Sequence, residues 1–109
     1  MKKYDEAVDC YRAAIQLRPD FAKAYYNLGI ALFNRGELDQ AIEQFRQVLR
    51  IHPEDAEMHC NLGVLLAQKG RVDEAIEEFR AALRFDPDLS RASEQLQAAL
   101  AKKADSNSQ

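Results

Sequence analysis

The sequence has no tryptophan, two cysteines, three prolines and four glycines, and each scarcity removes a class of answer. A sandwich or barrel of short strands needs a turn about every 8–12 residues, and so few turn-forming residues cannot supply them. Cys10 and Cys60 lie far apart in the chain, which is no disulfide framework of the kind that staples small secreted domains. A reduced, cytoplasmic location is therefore the expectation. The opening Met-Lys-Lys-Tyr-Asp-Glu is charged and no apolar core follows it, unlike a secretory leader. No apolar run approaches the roughly 18 residues of a membrane span. Fifteen basic side chains oppose eighteen acidic ones, for a net charge of −3. Without a dominant positive field, neither nucleic acid nor an anionic membrane surface is an expected partner.

What the sequence does have is a repeat. Its 109 residues, 47% hydrophobic and 30% charged, suit one globular domain with a real core. Residues 20–53 align with 54–87 without a gap, and 15 of the 34 positions are identical. These include Asn27/Asn61, Leu28/Leu62, Gly29/Gly63, Leu32/Leu66, Gly36/Gly70, Ala41/Ala75, Phe45/Phe79 and Pro53/Pro87. A fixed-period self-similarity of this length marks a helical array. The register runs backwards into Tyr4, Ala7, Tyr11, Ala14 and Pro19, and more weakly forwards into Leu96 and Leu100.

Each unit holds two helical periods. Tyr25, Leu28, Gly29 and Leu32 share one helix face, and Ala41, Ile42, Phe45, Val48 and Leu49 share another. Gly36 suits the left-handed residue that closes the first helix. Pro53 stops the second, lacking an N–H and clashing with the preceding turn. Asp20, Asp55 and Asp88, each close behind a proline, are expected to cap the helices that follow. The pattern predicts helices at 4–17, 22–35, 38–51, 56–69, 72–85 and 89–103, then a polar tail. Gly29 and Gly63 are expected to let two helices approach closely, with Ala41 and Ala75 facing them. Phe45 and Phe79 are expected between one helix pair and the next.

These residues resemble the tetratricopeptide repeat family. Its pattern reads here Tyr25-x₂-Leu28-Gly29-x₂-Leu32, Ala41-x₃-Phe45, Pro53, and again His59-x₂-Leu62-Gly63-x₂-Leu66, Ala75-x₃-Phe79, Pro87. Leucine at 32 and 66 and histidine at 59 depart from the usual aromatics. The resemblance implies an all-α solenoid of antiparallel helix pairs wound into a right-handed superhelix. It divides residues 1–103 into a half repeat at 1–19, repeats at 20–53 and 54–87, and a capping helix at 88–103. Residues 104–109 are left as a flexible tail. Ala7, Val8, Tyr11 and Ile15 are expected to leave one apolar face of the first helix bare.

Chemistry-bearing residues do not converge. A metal needs ligands within about 2.0–2.3 Å of one point, whereas the adjacent His59 and Cys60 diverge by about 100° around a helix. His59 is expected to replace a core aromatic, and Cys10 to face solvent where it cannot meet Cys60. A Cys–His pair would also lack an orienting third group. Glu43, Glu77 and Glu78 are expected on solvated faces beside Arg46, Arg50, Arg80 and Arg84. The glycines form no phosphate-cradling loop. No catalysis, metal or cofactor is expected.

In a solenoid of this family the first helix of each pair lines the concave side. Core positions aside, that side would carry Lys23, Tyr26, Asn27, Ile30, Phe33 and Asn34, then Glu57, Cys60, Asn61, Val64, Ala67 and Gln68, then Arg91, Glu94, Gln95 and Ala98. Asparagine amides both donate and accept, so Asn27 and Asn61 suit the backbone of a bound peptide, or else they brace neighbouring helices. Tyr26, Ile30, Phe33 and Val64 would add apolar contact, and Lys23 and Arg91 charge. Co-chaperone members hold an acidic C-terminus with five residues. Of the matching positions, Tyr26, Ile30, Asn61, Arg91 and Gln95, only Asn61 and Arg91 fit. The paired asparagines are similar to the ladder inside O-linked N-acetylglucosamine transferases. The expectation is a non-catalytic scaffold that binds a protein or peptide in this groove. The alternative is self-assembly, as a homodimer through the first helix or as part of a longer array.

Overall fold

Helices account for most of the described residues. The computed structural model describes residues 2–107, which form α1 (Lys2–Leu17), α2 (Ala22–Asn34), α3 (Leu38–Ile51), α4 (Ala56–Gln68), α5 (Val72–Phe85) and α6 (Ser90–Asn107). No strand occurs among the described residues. The helices fall into two compact units divided between Pro53 and Glu54. In the first, α2 packs against both α1 and α3; in the second, α5 packs against α4 and α6, and α6 also touches α4. None of these helices is long and apolar enough to cross a membrane.

The turn inside each pair is built twice from the same parts. Gly36 and Gly70 have φ of +82° and +81°, a region that costs a side chain roughly 1–2 kcal/mol. The Gly36 N–H donates to the Phe33 carbonyl and the Glu37 N–H to that of Leu32, both at 2.9 Å. Gly70 to Ala67 and Arg71 to Leu66 repeat the arrangement. Each set satisfies carbonyls that a helix end otherwise leaves orphaned. Side-chain capping at the next helix is less regular than expected. Of the three aspartates expected to cap, Asp55 does so, accepting from the Met58 N–H at 3.0 Å. The equivalent position in α2 is Phe21, which has no capping side chain. Asp20 and Asp88 lie one residue too early: in the repeat register they match Glu54, not Asp55. Leu89 holds the cap position of α6 by its backbone carbonyl alone.

The cores explain the conserved register of glycine and phenylalanine within each unit. A Cβ on Gly29 would lie 2.5 Å from Phe45 Cε1, and one on Gly63 2.5 Å from Phe79 Cε1. The ring of the second helix therefore fills the space the glycine vacates in its own pair. The nearest neighbour of each glycine is thus this ring, and not the Ala41 or Ala75 expected to face it. Ala41 and Ala75 are fully buried. Tyr25 closes the other end, its hydroxyl donating to the Pro19 carbonyl at 2.8 Å.

Both ends differ from expectation. Val8 is buried, and Ala7, Tyr11 and Ile15 are half-buried, because α2 covers this side of α1. Leu17 is the bare residue, 84% exposed. Arg35 ties the unit together, its guanidinium 3.3 Å from Asp5 and 3.0 Å from Glu37. At the far end α6 runs to Asn107 rather than 103, so residues 104–107 are helical. Lys103 contributes by reaching Asp73 at the start of α5, 2.8 Å away. Ser108 and Gln109 of the expected tail lie outside the described residues.

Candidate functional site

α2 is apolar around most of its circumference, with Lys23 as its one charge. Ala24, Tyr25, Leu28, Ala31 and Leu32 are buried against α1 and α3, which leaves Tyr26, Ile30 and Phe33 outside at i, i+4 and i+7. Each is 37% exposed, so together they make a continuous apolar stripe about two turns long. Tyr26 is anchored beneath, its ring stacked on Phe45 at 5.9 Å. Lys23 and Asn34 are exposed at the two ends of the stripe, and Asn27 beside it is half-buried. The expected α2 residues thus do share one accessible face.

The corresponding face of α4 is different in kind. Glu57 and Gln68 are exposed, Asn61 and Val64 half-buried, and Cys60 fully buried. Cys60 therefore belongs to the core and not to the accessible face where the sequence placed it. Burial pushes its thiol up from the ordinary range, the nearby Arg91 opposing this and Glu57 adding to it. Arg91 of α6 donates from Nη2 to Asn61 Oδ1 at 2.7 Å, and its Nη1 lies 3.7 Å from Glu57 Oε2. Asn61 and Glu57 are one turn apart on α4, so one guanidinium spans both. The asparagine in this unit does brace a neighbouring helix.

One polar cluster escaped the sequence reading. His59 Nδ1 lies 2.8 Å from Glu78 Oε1, and the imidazole stacks on Phe85 at 5.7 Å. His59 does occupy the aromatic position, but it keeps a polar partner there. Glu78 is consequently half-buried instead of solvated, while Glu77 stays outside and pairs with Arg80 at 3.7 Å. The signal was the one-residue offset between Glu77 and Glu78, which turns their side chains about 100° apart around α5. Among the described residues no three His, Cys, Asp or Glu side chains gather as a metal site. Cys10 is exposed.

Antiparallel helix pairs on a 34-residue register, each closed by the same glycine turn, define an all-α helical-repeat protein of the solenoid class. A family model described as tetratricopeptide repeat matches residues 33–90, more than half the chain, and a second TPR model matches residues 1–36. The chain belongs to the tetratricopeptide repeat family. No curated protein matches it. Solved structures with the same fold include the Yersinia enterocolitica type III secretion chaperone SycD in complex with a peptide of the translocator YopD. That likeness has 22% identity and a TM-score of 0.85, covering 94% of this chain and 83% of that one. The first TPR of Spaghetti (RPAP3), bound to the HSP90 peptide SRMEEVD, has 20% identity and a TM-score of 0.85, with coverage of 94% and 82%. YrrB, described as a TPR protein with an unusual peptide-binding site, has 29% identity and a TM-score of 0.76 over 85% of this chain; the match spans 48% of YrrB.

Proposed function

We propose that this chain is a non-catalytic protein-interaction module that holds an extended peptide or a partner helix along the first-helix faces of its repeats. The observation that carries the reading is the stripe of Tyr26, Ile30 and Phe33, large apolar side chains left accessible on one helix. Stripes of this kind, rimmed by polar residues, mark protein interaction surfaces. Asn27 beside the stripe, and Asn61 on the first helix of the second unit, carry amides whose hydrogen bonds any peptide backbone can satisfy. The peptide complexes of SycD and RPAP3 and the peptide-binding site of YrrB support it by analogy of fold. The clamp for an acidic C-terminus that co-chaperone members use is not proposed for this chain, since Tyr26, Ile30 and Gln95 stand where that clamp needs other residues.

The test is selection of random 12-residue peptides on the chain, with an Ile30→Ser/Phe33→Ser variant as control. Both side chains are partly exposed, so the variant keeps its helices. Peptides that bind the chain and lose the variant support the reading; a chain that retains no peptide contradicts it. A second reading, self-association through α1, is favoured by the bareness of Leu17. A concentration series in size-exclusion chromatography with light scattering distinguishes it, because a mass that stays monomeric across the series excludes it.

A further inference from the structure

The bridge between Arg91 and Asn61 does more than join two helices. A guanidinium has five donors and no acceptor. At 2.7 Å from Arg91 Nη2, the atom of Asn61 facing it must be the carbonyl oxygen. The amide NH₂ is thereby turned away from Arg91, and both its protons remain for another partner. Glu57, at the other side of the same guanidinium, offsets the charge that would otherwise draw a carboxylate to this spot. A free asparagine flips between donor and acceptor presentations, whereas this contact favours one of them.

Resting on the peptide-binding reading above, we propose that Arg91 is a positioning residue that makes Asn61 a donor-only contact, reading a backbone carbonyl and not a backbone N–H of the bound peptide. Arg91 need not touch the peptide. The register places Lys23 of α2 and Glu57 of α4 where Arg91 stands in α6. The inference concerns Asn61 only.

Two measurements test it. In the free chain, NMR of the Asn61 side-chain amide should show both Nδ2 protons exchanging rapidly with water, with a chemical shift that moves in Arg91→Met. Nδ2 protons protected from exchange would mean that the amide already donates within the chain, with nothing left for a peptide, and would overturn the proposal. The second uses a 12-residue peptide selected on the wild-type chain. Asn61→Asp keeps an acceptor toward Arg91 but removes both donors, so stability should hold or rise while affinity falls about ten-fold, the upper range for one hydrogen bond. Arg91→Met should weaken binding as well, and Arg91→Lys should recover part of the loss because ammonium is also donor-only. Full affinity in Asn61→Asp would show that Asn61 braces the helices without contacting the peptide, and peptide binding would still stand. Failure to select any peptide would remove the function reading and this proposal together.

Discussion

Gly63 offers a sharp test of how each repeat is packed. A methyl placed there would lie 2.5, 2.8 and 3.0 Å from three atoms of the Phe79 ring, where ordinary contact begins near 3.4 Å. Phe79 has no exposure at all, so the ring must shift by several tenths of an ångström within a close-packed core. Overpacking of this kind costs about 1–3 kcal/mol. Replacing a mid-helix glycine by alanine returns about 1 kcal/mol through helix propensity. Gly63→Ala should therefore lose up to about 2 kcal/mol, and Gly63→Leu, with three more carbons in the same space, clearly more. The partner change Phe79→Leu costs stability alone but makes room for the methyl. The double variant Gly63→Ala/Phe79→Leu should then be more stable than the sum of the two losses, by the order of 1 kcal/mol expected for residues in contact. Guanidinium denaturation followed by far-ultraviolet circular dichroism measures all four chains. Strict additivity, or an unchanged midpoint for Gly63→Leu, would refute the claim that glycine exists here to admit the ring.

Asp55→Ala should lose about 1 kcal/mol with its cap, while Asp20→Ala and Asp88→Ala should stay near wild type; equal losses in the same denaturation assay would contradict the capping geometry. Cys10 should react with a thiol reagent well before Cys60 in the native chain, and simultaneous reaction would show that Cys60 is accessible. Because burial raises the folded Cys60 thiol, its contribution to stability is whole below the ordinary thiol value of about 8.5 and is lost as pH rises through the higher folded value. Cys60→Ala should therefore flatten the decline of melting temperature at alkaline pH, and an identical decline in the variant would count against it. Amides of α1, many of whose apolar positions are only half-buried, should exchange with deuterium before those of α3, with its buried Ala41, Ile42, Phe45 and Val48. Equal protection in a dilute monomer would show that α1 is as firmly held as α3.

The helices, their breaks and the Gly36 and Gly70 turns were legible because local rules dictate them: period, proline and a required positive φ. The accessible stripe on α2 was legible for the same reason, since three residues at helical spacing remain once the core positions are removed. Capping was misread at Asp20 and Asp88 because nearness to a proline was used where the repeat register was the better guide. Long polar side chains were the harder part. Whether Arg91 reaches Asn61, or Glu78 reaches His59, depends on rotamers and on the distance between helices, and neither is written in periodicity. The burial of Cys60, where the register has the exposed Tyr26 in α2, is likewise something repeat alignment alone does not specify.

The most direct test of peptide holding by first-helix faces is a chemical-shift map of the labelled chain titrated with a selected 12-residue peptide. The account predicts the largest changes at Tyr26, Asn27, Ile30, Phe33 and Asn61, with little change on the outer positions of α3 and α5 such as Glu43, Arg46, Glu77 and Arg80. Changes centred on those outer positions, with the α2 stripe unmoved, would contradict it.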